Sequence, residues 1–177
     1  MKKQLVTVYI TNFNYSEYIE KSIRSVLSQT YKNIEVIVID DGSFKSNNYK
    51  PILDQFKSSK IKYIKIDKNS GVSSAMNIAI KNANGYYINW LSHDDYFDHS
   101  KIEKQLKILN MSNPENTICL SHSITFNETT NYRRKINVRN FLINKKNWLL
   151  MSDKLHGCSL LIPRHLIIQE GFFNENL

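Results

Sequence analysis

The sequence has few of the residues that cross-link a chain or break it into loops: its 177 residues include two cysteines, three prolines and five glycines. The two cysteines, Cys119 and Cys158, are far apart, which argues against a disulfide framework and is typical of a reducing compartment. His156 and Cys158 form a single pair of potential ligands with no partner pair, so we interpret them as buried structural residues rather than as a metal site.

Long hydrophobic runs are also missing. No apolar stretch is long enough to span a bilayer, and the basic start at Met1–Lys3 leads directly into a strand-like segment instead of a signal peptide. We therefore expect a cytoplasmic protein. A hydrophobic content of 41% and a charged content of 23% are typical of globular proteins, and the absence of repeats, low-complexity tracts and linkers favours one domain over residues 1–177.

Acidic residues are the minority among the charged ones, 16 against 24 basic, which gives a formal net charge of +8. Much of the excess lies at Arg133–Lys135, Arg139 and Lys145–Lys146. This charge permits peripheral contact with an anionic membrane at its inner face, a phosphorylated ligand or nucleic acid, while a solvated basic face is the plain alternative. No helix-turn-helix, finger or base-stacking motif accompanies the charge, so we expect no nucleic-acid partner.

Four strand-like segments alternate with three amphipathic helical segments in the first part of the chain. Because crossovers between parallel strands are right-handed, this alternation predicts an α/β fold with a mostly parallel central sheet flanked by helices. The four predicted strands are Gln4–Thr11, Ile34–Ile39, Ile61–Ile66 and Tyr86–Ser92.

The second part of the chain has weaker patterns. Thr117–Phe126 is expected to form one strand, a further strand is expected after Cys158, and Pro163–Gln169 is expected to form a helix. The polar and basic residues 127–155 show no clear period, so we expect loops there, with one short helix at Lys145–Met151.

Polar residues follow the predicted strands where their carboxyl ends share one edge of the sheet, the edge at which open α/β sheets bind ligands. Asp40 and Asp41 follow the second strand, and Asp94 and Asp95 follow the fourth. Carboxylate oxygens suit Mg²⁺ or Mn²⁺, and the helix start at Ser70–Ser73 offers backbone N–H groups to a phosphate. We therefore expect a nucleotide-plus-metal site, with an Asx turn and a helix cap as the structural alternatives for the two acidic pairs.

Five segments, in this order and spacing, resemble the family 2 inverting glycosyltransferases of the GT-A fold, and the similarity runs from about Val6 to Leu177. The resemblance implies one Rossmann-like GT-A domain, with residues 1–110 as the nucleotide-sugar-binding half and residues 111–177 as part of the acceptor-side half. It also implies transfer from a nucleotide-sugar, usually UDP-linked, to an acceptor hydroxyl, with inversion and with Mn²⁺ or Mg²⁺ as cofactor. The segments are Val6–Tyr15, Ser25–Tyr31, Glu35–Ser43, Asn69–Gly71 and Leu91–Asp95.

The resemblance also implies roles for individual residues. Asp94 would face the ribose and the donor sugar, and Asp95 would ligate the metal on the diphosphate. On the acceptor side would lie His156, Gly157 and Cys158. The nucleotide-binding residues would be Thr11, Asn12, Tyr15, Asp40, Asp41 and Gly71.

The sequence departs from the family pattern in three places. Ser92 stands where the metal motif often begins with another acid, and Ala75–Asn77 stands where many members carry an arginine that touches the nucleotide. The acidic pair that acts as catalytic base in the family is expected beyond Leu177, so we predict that the chain is truncated and that its own catalytic base is unknown. The substitute bases would be Asp153, His156 or Glu175.

Three functional hypotheses are therefore open. The first is a glycosyltransferase of surface polysaccharide or glycoconjugate synthesis, acting on a carbohydrate or lipid-linked acceptor. The second is a module that binds a nucleotide-sugar without transferring it, because the base is missing. The third, a basic nucleic-acid-binding domain, leaves the acidic loops unexplained. The turn at Thr11–Asn14 has no G-x-G-x-x-G, which argues against an NAD-type phosphate turn.

Overall fold

The computed structural model describes residues 4–14, 17–44, 49–56, 60–111, 114–127, 129–137 and 156–176. Several residues named above lie outside this part of the chain. They are Tyr15, Arg139, Asp153 and the helix predicted at Lys145–Met151.

The described residues form eight strands and five α-helices. The strands are β1 Val6–Asn12, β2 Ile34–Asp41, β3 Ile61–Ile66, β4 Tyr87–Ser92, β5 Cys119–Leu120, β6 Ser123–Asn127, β7 Tyr132–Ile136 and β8 Leu160–Pro163. The helices are α1 Ile19–Leu27, α2 Tyr49–Gln55, α3 Val72–Asn82, α4 Lys101–Leu109 and α5 Arg164–Gln169. Among these helices, none combines the length and the apolar character that a bilayer crossing requires.

The central sheet has six strands in the order β3-β2-β1-β4-β8-β5. Strands β1 to β4 are parallel, whereas β8 runs antiparallel to both of its neighbours, β4 and β5. The predicted mostly parallel α/β sheet is therefore confirmed. The chain passes from β1 outward through β2 to β3 and then returns to the other side of β1 as β4. This reversal makes the β1–β4 boundary the point at which doubly wound sheets bind ligands.

Helices cover both faces of the sheet because its central strands are apolar on both sides. Along β1, Val6, Val8 and Ile10 are fully buried on the face that packs with α1 and α4. The alternate residue, Tyr9, packs on the opposite face with α3, where Ile80 is also fully buried. This continuous burial explains why β1, β2 and β4 could be recognised from the sequence, whereas β3 is the half-buried edge strand.

The strand predicted at Thr117–Phe126 is wrong in extent, because it is divided at Ser121 into β5 and β6. Ser121 turns the chain by donating its backbone N–H to the carbonyl of Ser159, at 3.0 Å. β5 then belongs to the central sheet, while β6 forms a separate antiparallel hairpin with β7. β7 itself falls in a stretch predicted as loop. Its Arg133–Lys135 segment is exposed and charged, and so lacks the alternation that marks a half-buried strand.

Candidate functional site

The carboxyl ends of β1 and β4 bring Thr11, Asn12 and Trp90 together. Thr11 Oγ1 accepts a hydrogen bond from the indole Nε1 of Trp90, at 3.0 Å. Asn12 is buried, and neither atom of its side-chain amide has a hydrogen-bond partner among the described residues. The buried amide of Asn89 on β4 is in the same state, but Asn12 is the last residue of β1 and so lies at the edge where a ligand could satisfy it.

Asp40 and Asp41 are the last residues of β2 rather than loop residues, and both are buried. The Asp40 carboxylate accepts from the backbone N–H of Ser43 at 3.0 Å and from the hydroxyl of Tyr63 at 2.8 Å. The first of these contacts closes the Asp40–Ser43 turn over three residues, one more than in the Asx turn proposed as the structural alternative for this pair. Gly42 has a φ of +73°, and a Cβ there would overlap the backbone of residues 68 and 69. Glycine is therefore required for the chain to leave the sheet here.

Asp41 holds the two residues that precede α3. Its Oδ1 accepts from both the backbone N–H and the hydroxyl of Ser70, each at 2.8 Å, and its Oδ2 accepts from the N–H of Gly71 at 3.1 Å. Two of the N–H groups expected to meet a phosphate thus donate to a carboxylate of the protein. The Asp41 carboxylate can accept one further hydrogen bond, so its predicted contact with the nucleobase of a donor stays a prediction. The nucleotide-binding role of Gly71 also stays a prediction.

Asp94 and Asp95 lie in the turn directly after β4. Ser22 of α1 anchors this turn, since its Oγ lies 2.6 Å from the carbonyl oxygens of both His93 and Asp95. Burial opposes ionisation of Asp94. The hydrogen bond from Ser92 Oγ, its own backbone N–H and the nearby His93 and His156 outweigh that effect and hold the pKa of Asp94 below its usual range. Asp94 is therefore an anion at neutral pH.

The segment His156–Cys158 folds over Trp90 and faces the same turn. Gly157 opens a 3-10 turn, Gly157–Ser159, and rests so closely on the indole of Trp90 that a Cβ would overlap the ring. Cys158 is buried, and its sulfur accepts from the backbone N–H of Ser92 at 3.3 Å. Burial, reinforced by the charge of Asp95, raises the pKa of the Cys158 thiol. His156 is exposed, so the interpretation of both residues as buried is wrong for His156.

Three potential metal ligands converge at Asp95. The Cys158 thiol donates to Asp95 Oδ2 at 3.3 Å, and His156 Nε2 lies 3.7 Å from the same oxygen. The carboxylate oxygen, the imidazole nitrogen and the sulfur all lie within 4.8 Å of one another. These donors fit a divalent ion, and the metal role of Asp95 stays a prediction. The sequence points to Asp95 and to the His156–Cys158 pair separately and does not join them, because more than sixty residues separate Asp95 from Cys158.

The candidate bases differ in their surroundings. Glu175 Oε1 accepts from the side-chain amide of Asn77 at 2.7 Å. Asn77 also pairs with the backbone of Phe173, whose N–H donates to Asn77 Oδ1 at 2.9 Å and whose carbonyl accepts from Nδ2 at 2.9 Å. Asn77 thus fastens the 173–175 segment to α3. His156 belongs to the Asp95 cluster.

Comparison with known proteins agrees with this architecture. A protein of Rickettsia conorii described as a glycosyltransferase is 41% identical over 98% of this chain, which spans 29% of the relative's length. An Escherichia coli protein, WfaP, named as a UDP-Glc:alpha-D-GlcNAc-diphosphoundecaprenol beta-1,3-glucosyltransferase, is 39% identical over 60% of this chain and 41% of its own length. The chain therefore spans less than half of either relative.

Solved structures share the fold. The mannosyltransferase PcManGT from Pyrobaculum calidifontis, in complex with GDP-Man and Mn²⁺, superposes with a TM-score of 0.72 over 99% of this chain and 49% of its own, at 17% identity. The sequence model described as glycosyl transferase family 2 matches residues 7–166, nearly the whole of the described sheet. The chain is therefore a member of glycosyl transferase family 2, with a GT-A fold.

Proposed function

We propose that the protein transfers a sugar from a nucleotide-activated donor, UDP-linked, to an acceptor hydroxyl with inversion at the anomeric carbon. The observation that carries this proposal is the acidic turn at Asp94–Asp95, which follows β4 at the boundary with β1 and in which Asp94 is held as an anion. The donor named for the WfaP relative, UDP-Glc, supports a uridine nucleotide, and the GDP-Man and Mn²⁺ of PcManGT support a diphosphate nucleotide with a metal.

The donor nucleotide-sugar would bind at the carboxyl ends of β1 and β4. Thr11 and Asn12 would line the nucleoside pocket, with the unpartnered amide of Asn12 meeting polar atoms of the nucleotide. Asp94, held as an anion, would accept hydrogen bonds from ribose or sugar hydroxyls. Asp95 would hold the divalent ion, whose charge assists departure of the nucleoside diphosphate.

The acceptor hydroxyl must lose a proton as it attacks the anomeric carbon, and a carboxylate is the expected general base. Glu175 is a carboxylate within the described residues that could take this role. Asn77 holds it against α3, through the contact with Glu175 and the paired hydrogen bonds to Phe173.

Titration calorimetry with UDP tests the donor site. We expect UDP binding that requires Mn²⁺ and that weakens at least tenfold, about 1.4 kcal/mol, in Asp95→Asn. Asp67→Asn removes an exposed carboxylate from the loop after β3 and is the matched control, which should bind as the wild type does. Metal-independent binding, or no binding of UDP, GDP or dTDP, would contradict the proposal.

A second proposal concerns the acceptor and rests on the basic β6–β7 hairpin. It lies beside the acidic turn, because Phe126 of β6 packs against Tyr96 with 5.4 Å between ring centroids. Lys21 Nζ lies 4.5 Å from the Tyr96 centroid. The register places cations on both faces of the hairpin, with Arg133 opposite Phe126 and Arg134 opposite Thr125. We propose that the hairpin rests on an anionic membrane near a lipid-linked acceptor, as used in surface polysaccharide or glycoconjugate synthesis.

Vesicle sedimentation tests the hairpin. Because each basic residue near an anionic surface contributes about 1 kcal/mol, replacing all of Arg133–Lys135 by serine should weaken binding to phosphatidylserine vesicles on the order of a hundredfold. A control with serine at Lys68, Lys104 and Lys107 removes the same charge elsewhere on the surface and should lose far less. Equal losses in the two variants, or binding insensitive to salt, would refute a specific role for the hairpin.

A further inference from the structure

The donor set around Asp95 is unusual for a site expected to hold Mg²⁺ or Mn²⁺. Those ions favour oxygen ligands, whereas this cluster combines one carboxylate oxygen with an imidazole nitrogen and a cysteine sulfur. Sulfur and imidazole are the ligands that Zn²⁺ and its spectroscopic substitute Co²⁺ select. The chemical identity of the donors therefore bears on which ion the site takes.

The separations between the donors suit a tetrahedral ion. With zinc bond lengths of roughly 2.1 Å to oxygen or nitrogen and 2.3 Å to sulfur, tetrahedral ligands lie about 3.4 to 3.6 Å apart. Cys158 Sγ lies 3.3 Å and His156 Nε2 lies 3.7 Å from Asp95 Oδ2. Both distances are within a few tenths of an ångström of the expected values. The third separation, between the sulfur and the imidazole nitrogen, is bounded only by 4.8 Å, and the exposed His156 is the ligand that would move to complete the set.

The surrounding structure holds the sulfur in place and leaves the site open from one side. The Cys158 sulfur is fixed by the N–H of Ser92, and the turn that carries it is closed by Ser159, whose Oγ donates to the carbonyl of His156 at 2.6 Å. Cys158 is 7% exposed, whereas the side chains of Asp95 and His156 are 37% and 50% exposed. An ion can therefore enter past His156 and Asp95 and meet the thiol at the base of the site.

We propose that Asp95, His156 and Cys158 together bind one thiophilic divalent ion, Zn²⁺ or Co²⁺, in preference to Mg²⁺. The inference rests on the proposed function in taking Asp95 as the metal ligand. On binding, the S–H bond of Cys158 breaks, its proton passes to the solvent, and the sulfur lone pair forms the bond to the ion. Three protein ligands leave the fourth position of a tetrahedral ion for an oxygen of the donor diphosphate.

Competition within the cluster explains the selectivity. Without an ion, the Asp95 carboxylate accepts from the Cys158 thiol and lies beside His156. Mg²⁺ would have to break the contact with the thiol and gain no bond to sulfur in return, whereas a thiophilic ion converts the same thiol into a ligand. The site should therefore discriminate against Mg²⁺ through Cys158 itself.

Cobalt absorption spectroscopy on the full chain tests the proposal without any assay of activity. Titration with Co²⁺ should produce a sulfur-to-cobalt charge-transfer band in the wild type, which is lost in Cys158→Ser. Cys119→Ser is the matched control, because Cys119 is also a free, buried cysteine but lies outside the cluster, and it should keep the band. His156→Ala alters an exposed residue and should keep the band while weakening Co²⁺ binding at least tenfold, since loss of an outer-shell partner alone costs about that much.

The metals should also compete in a defined order. Zn²⁺ added at the same concentration as Co²⁺ should abolish the sulfur-to-cobalt band. Mg²⁺ added at that concentration should leave the band unchanged. Cobalt binding without a charge-transfer band, a band that survives in Cys158→Ser, or displacement by Mg²⁺ as effective as by Zn²⁺ would each overturn the proposal. Mn²⁺-dependent UDP binding that is lost in Asp95→Asn, found without the cobalt band, would uphold the proposed function while refuting this inference. A cobalt band in a protein that binds no nucleotide would uphold this inference while refuting the proposed function.

Discussion

Replacing Asp41 by alanine is expected to lower the free energy of unfolding by about 3 kcal/mol. The substitution leaves the N–H groups of Ser70 and Gly71, and the hydroxyl of Ser70, without the carboxylate that accepts from all three. Asp41 is 4% exposed, so water cannot readily replace it. Leaving a buried donor without its acceptor costs about 1 to 3 kcal/mol, and Asp41→Ala removes the acceptor of three donors at once. Urea unfolding at neutral pH measures the change.

Asp67→Ala is the matched control for Asp41→Ala. Asp67 is an exposed carboxylate at the end of β3, only three residues before Ser70, and its removal should change the free energy of unfolding by no more than about 0.5 kcal/mol. Asp41→Asn keeps one acceptor oxygen and should fall between the two. Equal unfolding free energies for Asp41→Ala and Asp67→Ala would show that the contacts with α3 contribute nothing to stability.

The acidic pair after β2 illustrates what the sequence can and cannot reveal. The spacing of apolar runs predicts that Asp40 and Asp41 lie at the ligand-binding edge of the sheet, and the structure confirms that β2 ends with them. The same spacing cannot tell a carboxylate that meets a ligand from one that holds the loop before a helix, because both tasks need the same side chain at the same edge. The distinction depends on where α3 begins relative to β2, which only the packed structure fixes.

The metal cluster and the β6–β7 hairpin could not be predicted from the sequence, for a different reason. Asp95 and Cys158 meet because β8 returns antiparallel beside β4, a pairing encoded by no local pattern. β7 escapes recognition because its residues are basic and exposed, and its backbone is held by β6 rather than by burial. Central strands are predictable because each alone carries a buried run, whereas peripheral strands depend on a partner distant in sequence.

Lys101 is a buried cation that the helical pattern of α4 does not predict. It is 9% exposed, although its neighbours Ile102, Leu106 and Leu109 already supply the inner face of the helix. Its Nζ donates to Gln105 Oε1 at 3.0 Å and lies 4.1 Å from the ring centroid of Phe97. Neither Gln105 nor Phe97 carries a negative charge that could offset the cost of burying the ammonium group. Burial therefore lowers the pKa of Lys101 to about 7. The folded protein therefore disfavours the charged form.

Lys101→Met is expected to stabilise the protein at pH 6 and to lose that advantage as the pH rises. At pH 6 the lysine is charged in both the folded and unfolded states, so the wild type bears the full cost of burying the charge, about 5 kcal/mol for this change in pKa. Between pH 7 and about 10.5 the folded state releases the proton while the unfolded state keeps it, and wild-type stability rises. Urea unfolding of both proteins from pH 6 to pH 10 measures the convergence.

The pH dependence of the free energy of unfolding distinguishes the effect of removing the charge from the other effects of the Lys101→Met substitution. Methionine also removes the hydrogen bond to Gln105 and the contact with Phe97, but those losses do not vary with pH in the same way. Lys104→Met, one turn along α4 with a 71% exposed side chain, controls for the removal of a lysine from this helix and should show no such convergence. A gain for Lys101→Met that is constant from pH 6 to pH 10 would mean that Lys101 keeps an ordinary pKa despite its burial. Gln105 Nε2 also donates to the carbonyl of Ser159 at 2.8 Å, so a change in Lys101 reaches the turn that carries Cys158 through one side chain.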